Sequence, residues 1–416
     1  MATIRPFKAI RPAEKFAQKV AALPYDVMSS KEARKMVIGN PYSFLHVDRA
    51  EIDLDESINI YDDRVYQKAK DNLQKMISDK VLIKDEKPMF YIYMLTMNGK
   101  SQSGLVVCTS IDEYLQNKIK KHELTREEKE QDRIRHVDTC NANTGPIFLT
   151  YRAKDEITQI IEDYKKNNQA VYDFTSDDDI SHKVWVISED NVIGSLIEKF
   201  KDIPSLYIAD GHHRNASAVK VGLKRRGENP DFDPNAEFNF YLSVLFPDNE
   251  LYIMDYNRVV KDLNGLSKEE FLGKVKENFD VEKVGESGSP CNPKKSNEFG
   301  MYIGGEWYLL SARENIIDKG DPVLSLDVSI LQNHLLAPIL GIGDPRTDSR
   351  IDFIGGIRGL SELEKRVDSK EMAVAFAMFP TTVGQLMEIA DAEKIMPTKS
   401  TWFEPKLRSG LFIHEL

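Results

Sequence analysis

Asp210, Gly211, His212, His213 and Arg214 set a carboxylate, a glycine, two imidazoles and a guanidinium in direct succession. They follow the apolar run Leu206–Ala209 and precede small residues that suit a closely packed helix. A polar cluster at a strand-to-helix turn is where α/β proteins place phosphate or cofactor chemistry. If Gly211 opens the helix, the backbone N–H groups from His212 onward lack intrahelical acceptors and can hold an anion. Gly211 lets the backbone approach a ligand closely, and Arg214 adds a planar fork for a phosphate oxygen. His212 and His213 face different ways on a helix, so one touches the ligand while the other packs.

Plainer roles compete with these. Asp210 is as well suited to capping a helix as to chemistry. Adjacent histidines also point to a metal, but no third ligand stands at a recognisable spacing such as HExxH; a metal therefore ranks below a phosphate, and its ligands stay unassigned. Neither GxGxxG nor GxxxxGK[ST] occurs, so the sequence supports neither a dinucleotide fold nor a P-loop.

The elements that must position this turn alternate between helix and strand. Ser29 or Ser30 caps a helix ended by Gly39, Asn40 and Pro41. Residues 42–48 read as a strand and 59–77 as an amphipathic helix. Strands follow at 89–97 and in GLVVCTS, then a charged helix over Lys121–Asp138 whose default reading is a solvated, salt-bridged face. The polar turn Asn141, Asn143, Thr144, Gly145 precedes another strand and is a substrate-loop candidate. Downstream come the apolar strand NFYLSVLFP, a hairpin turning at Gly304 and Gly305, a long apolar helix over 321–341, the buried strand VAFAMF and a helix capped by Thr382. The expected fold class is α/β, or α+β, in two interlocking lobes, divided as residues 1–235 and 236–416.

Near the end, Lys399, Ser400 and Thr401 cluster with Lys406 and Arg408 beside Trp402 and Phe403, a combination suited to phosphate contacts. The alternative is a plain helix exit with solvated lysines. Among the three cysteines, Cys108, Cys140 and Cys291, the spacing makes neither a disulfide pattern nor a zinc motif, and none is given a role. At 416 residues the chain has room for two or three domains. Its net charge of −11 opposes nonspecific approach to nucleic acid. With no apolar targeting segment and no run long enough to span a bilayer, a cytoplasmic location without membrane association is expected.

DGHHR at Asp210–Arg214, KHELTREEKEQDRIRHVD at Lys121–Asp138, NANTGP at Asn141–Pro146 and MPTKSTWFEPKLRSGL at Met396–Leu411 together resemble the prokaryotic family called domain-of-unknown-function 1015. RPFKAIRP and LPYDV near the start extend the resemblance over nearly the whole chain. No established reaction comes with it. More distantly, the strand followed by DGHHR resembles the phosphate turn of the ParB and sulfiredoxin superfamily, which includes free-serine kinases. Gly211 and Arg214 match the glycine and arginine of that turn, and His213 the histidine some members place before the arginine. His212 stands where sulfiredoxin-like enzymes carry their catalytic cysteine, which argues against sulfinate reduction.

The expectation is a ParB/sulfiredoxin-like nucleotide-binding core within a larger mixed structure. Its activity would be transfer of phosphate from ATP or ADP, with Mg²⁺, to a small hydroxyl-bearing metabolite such as free serine. Gly211, His212, Arg214, Lys399, Ser400 and Thr401 would meet phosphate. Asp210 or Asp26 would orient or deprotonate the acceptor hydroxyl, with His213 a further catalytic candidate, and Asn141, Asn143 or Thr144 would meet the substrate. The rival is a regulator that binds a nucleotide or phosphometabolite without turnover; a DNA-associated partition-like protein ranks third. Oligomeric state is not legible.

Overall fold

Runs rich in β-branched and aromatic residues, FYIYMLTM, GLVVCTS and FYLSVLF, form strands of a large sheet that are buried on both faces, while HKVWVI mixes buried and half-buried positions. The computed structural model describes residues 2–416. Contacts group the chain into two units, Met1–Leu251 with Pro405–Leu416, and Tyr252–Glu404. The first unit therefore runs past residue 235. The reason is the strand Phe240–Pro247, which pairs on one side with Ile147–Tyr151 and on the other with Lys100–Ser110 and so lies inside the sheet.

That sheet is mixed, with the order 119–120, 206–210, 147–151, 240–247, 100–110, 90–97, 181–187, 172–175, and Ile4–Arg5 on the 100–110 strand. Leu206–Asp210 runs parallel to Ile119–Lys120 and antiparallel to Ile147–Tyr151. Asn98 and Gly99, both at positive φ, make the tight turn joining 90–97 to 100–110. Ile92, Leu105, Leu149, Ile208, Tyr241 and their neighbours form the buried core.

Residues 42–48, expected as a strand, contain the short helix Leu45–Asp48. Phe44, Leu45, Val47 and Asp48 are all buried, so the period-2 exposure of a half-buried strand is absent. The amphipathic helix spans Asp63–Ser78, capped by Asp62. The charged segment forms the helix Glu127–Cys140, yet it is not a solvated rod: Glu130, Asp132, Arg133 and His136 are buried with Val137 and Cys140. Packing between Asp63–Ser78 and His212–Glu228 covers it from two sides.

In the second unit an antiparallel sheet has the order 279–286, 306–312, 298–303, 374–378, 256–260, 351–355. The expected hairpin turns at Gly304 and Gly305, both at positive φ. The long apolar helix is instead the short helix Asp327–Leu331 followed by a π-turn, Gln332–Leu336. The overall class is mixed α/β. Among the described residues no helix is long and apolar enough to cross a membrane.

Candidate functional site

Gly211 is where the strand Leu206–Asp210 becomes the helix His212–Glu228, and its φ of 90° is a conformation that side chains with a Cβ rarely adopt. Asn215 N–H donates to Gly211 O at 2.9 Å, so the N–H groups of His212, His213 and Arg214 have no acceptor within the helix. Asp210 does not cap that helix. Its carboxylate accepts from Gly211 N–H at 2.8 Å and pairs with Lys406 Nζ at 3.0 Å. Burial opposes ionisation there, but Lys406 and Arg214 hold the carboxyl well below the usual range.

The Arg214 guanidinium folds back over this turn. A Cβ on Gly211 would lie 3.2 Å from its Nε, and one on Gly145 would lie 3.5 Å from its Nη1. Two glycines thus cradle one arginine. Nη1 donates to Pro146 O at 2.6 Å, while the buried Nε has no hydrogen-bond partner among the described residues.

Arg214 lines a small cavity of about 20 Å³ with Tyr25, Asp48, Arg133, His136, Asn143, Thr144 and Gly145. An adjoining cavity shares Tyr25, Asp48, Arg133 and His136 and extends over Arg49, Glu51 and Lys129. Asp48 is buried and accepts from Thr144 Oγ1 at 2.8 Å. Arg133 forks onto Asp132 at 2.8 Å and stacks 4.1 Å over the Tyr25 ring. Burial disfavours its charge, yet Asp132, Tyr25 and Asp48 raise it above the ordinary arginine value. His136 Nε2 donates to Val47 O at 3.0 Å, and burial followed by the Arg133 charge lowers its pKa. At neutral pH its other nitrogen is then an acceptor.

Of the residues singled out in the sequence, Arg214, Asn143 and Thr144 meet in the first cavity, joined by Gly145. His213 Nε2 accepts from Arg126 N–H at 3.0 Å and holds the start of the charged helix. Asp26 is exposed in the turn Tyr25–Val27, whose Tyr25 lines the cavity. The His212 ring packs edge-to-face on His122, 4.5 Å away. Asn141 ends the Glu127–Cys140 helix in a left-handed conformation and donates to Leu416 O at 3.0 Å. Asn143 Oδ1 accepts from Leu242 N–H at 3.3 Å. Lys399, Ser400 and Thr401 belong to the second unit, where Lys399 lies over the Tyr256 ring and Ser400 Oγ donates to Pro397 O. In the same basic segment, Lys406 and Arg408 belong to the first unit; Arg408 is buried against Asp178 and Ser176. Cys140 is buried, which pushes its thiol up to about 12.

Sequence reasoning missed Asp48, Arg133 and His136. Asp48 sat in the presumed strand. For the other two a signal existed: Arg133, Val137 and Cys140 share one helical stripe that includes His136, an apolar-edged face unlike a solvated one.

A family model described as "Protein of unknown function (DUF1015)" matches residues 4–329. The chain belongs to that family. No curated protein matches it in sequence. Among solved structures, a free serine kinase mutant in complex with AMP is 13% identical, covering 74% of this chain and 92% of that one, with a TM-score of 0.36. A free serine kinase mutant in complex with ADP is 14% identical over the same shares, with a TM-score of 0.35. SbnI with C-terminal truncation, from Staphylococcus aureus, is 10% identical over 73% and 85%, at 0.37. These scores lie below one half.

Proposed function

We propose that the first unit binds an adenine nucleotide through its phosphates and transfers a phosphoryl group to a small hydroxyl-bearing metabolite, with free serine the first substrate to try. The observation that carries this reading is Arg214: a cavity-lining guanidinium, cradled by Gly145 and Gly211 at a helix start, with a buried Nε that no protein atom satisfies. A phosphate oxygen supplies the acceptor that Nε lacks, and the first turn of the helix favours the same charge.

The donor set suits a phosphate group, and the cavity, about 20 Å³ as it stands, must open to admit the rest of a nucleotide. Arg214 would hold phosphate, and Asp48, with Thr144 on its Oδ1, is the cavity carboxylate suited to orient an acceptor hydroxyl. Asp48 and Glu51 are also the oxygen donors suited to Mg²⁺, which neutralises phosphate charge when bound. Asp210 and His213 act as positioning residues, since their side chains hold Gly211, Lys406 and Arg126. Asp26 stays a second candidate near the cavity mouth through its neighbour Tyr25.

The test is incubation of the full chain with ATP or ADP, Mg²⁺ and a panel of hydroxy amino acids and hydroxy acids, read by mass spectrometry and ³¹P NMR. A phosphorylated product that disappears in Arg214→Ala and Asp48→Asn supports the reading. Nucleotide binding without product across the panel transfers support to a non-catalytic regulator. Absence of binding overturns both.

A further inference from the structure

The parallel pairing of Leu206 with Ile119 and Tyr207 with Lys120 brings the chain that follows each strand side by side. Hence His122 and Glu123, distant in sequence, meet His212. His122 is 2% exposed, and among the described residues neither of its ring nitrogens has a hydrogen-bond partner. His212 is 6% exposed, and its Nε2 is likewise unpartnered. Glu123 Oε2 lies 3.8 Å from His212 Nδ1, and one ligand atom from each of the three residues falls within 4.8 Å of the others.

Edge-to-face packing accounts for the two rings but not for their nitrogens. Apolar rings would pack as well, and buried polar atoms without partners are rare enough to need a reason. Three such nitrogens stand together here. We propose that His122, Glu123 and His212 bind a zinc-type divalent transition-metal ion. Two imidazoles and one carboxylate are a ligand set that zinc uses when it keeps a fourth position open.

Geometry and charge agree. Tetrahedral bonds of about 2.0–2.1 Å set ligands about 3.4 Å apart, so the trio closes by roughly an ångström on binding. Glu123, half-exposed ahead of the Glu127–Cys140 helix, is placed to make most of that movement. Both rings are buried and offer nitrogens without a hydrogen-bond partner among the described residues, so ligand atoms are available to a metal. The Asp210 carboxylate is close enough to favour positive charge at both rings. No phosphate contact enters this argument, so it stands apart from the nucleotide reading.

The experiment is a Zn²⁺ titration of the chelator-stripped full chain against a chromophoric competitor, with Co²⁺ absorption as a second readout. One ion per chain is expected, with a Co²⁺ ligand-field band of a low-coordinate site. His122→Gln and His212→Gln should weaken binding on the order of a hundredfold, and Glu123→Gln about tenfold or more. His46→Gln, which removes another histidine with an unpartnered Nε2, should leave it unchanged. Glu123 is exposed, so its variant folds and decides the matter even if a histidine variant does not. Lack of stoichiometric binding at micromolar Zn²⁺, or wild-type affinity in Glu123→Gln, overturns the proposal.

Discussion

Gly211→Ala and Gly194→Ala add the same methyl group to the first unit and should move its stability in opposite directions. Gly194 sits exposed within the helix Asp190–Phe200, and a Cβ there meets nothing within 4 Å. Alanine there gains about 0.8–1.0 kcal/mol of helix propensity. Gly211 has a φ of +90° and a Cβ there would stand 3.2–3.3 Å from three guanidinium atoms of Arg214. A left-handed alanine costs about 1–2 kcal/mol. The guanidinium, being the end of a flexible side chain, yields by a few tenths of an ångström and adds little to that cost. The two variants should therefore differ by about 2–3 kcal/mol, a separation in melting temperature of roughly 5 °C in a unit of this size. Scanning calorimetry measures it. The displaced guanidinium also predicts weaker nucleotide binding in Gly211→Ala, bounded by a charged hydrogen bond of about 1.5–3 kcal/mol. A Gly211→Ala protein as stable as Gly194→Ala refutes the strained turn. One that is destabilised but binds ATP as tightly as wild type refutes the role given to Arg214.

Gly410→Ala should be worse than either, because φ is +84° and its Cβ would lie 2.5 Å from the fully buried Phe44 ring; a loss of more than about 3 kcal/mol in urea unfolding is expected, and a loss under 1 would show that the ring can move. Thr382→Ala breaks a reciprocal capping box with Gln385 and should cost about 1 kcal/mol by the same measurement. Asp327 is buried in the second unit and desolvation raises its pKa from 3.8 to about 7, only partly offset by the N–H of Asn297. A raised folded pKa gives stability that is full below pH 3.8 and lost as pH rises through 7, about 4 kcal/mol in all. Asp327→Asn keeps the acceptor for Asn297, so it should match wild type near pH 4 and exceed it by up to that amount at pH 8; parallel pH profiles would contradict the assignment.

The strand-to-helix turn was legible because local chemistry alone dictates it: an apolar run, a glycine needing positive φ, then small residues that admit a neighbouring helix. The Gly304–Gly305 hairpin and the Thr382 cap were legible for the same reason. What stayed hidden depends on pairing between distant segments. Ile119–Lys120 is too short to announce itself, yet its parallel pairing with Leu206–Tyr207 sets His122 beside His212. The helix Glu127–Cys140 looked solvated because its charges sit at ion-pair spacings. Besides the Arg133–Asp132 pair within the helix, partners are supplied by other elements: Tyr66 to Asp132, Lys220 to Glu130, Lys224 to Asp138. Charge pattern along one helix cannot distinguish these cases, since burial is decided by what packs against it.

The same pairing decides which cation is left to meet an anion. Around the two cavities, Arg133 is forked onto Asp132 and Arg49 lies against Glu51, while Lys406, at the turn behind, is bound to Asp210. Each of these positive charges has its own carboxylate, and drawing it toward a phosphate would strand a buried anion, a loss of several kcal/mol. Arg214 differs. The Arg214 hydrogen bond among the described residues goes to the neutral carbonyl of Pro146, and its charge helps hold the Asp210 carboxyl low from a distance, without a direct bond. The guanidinium is therefore held in place by a group that does not neutralise it, with one donor still unsatisfied. A protein that needed only structure from this residue would be served by a neutral donor; keeping a full charge at a helix start, beside two glycines that clear the space around it, is the arrangement anion binding requires.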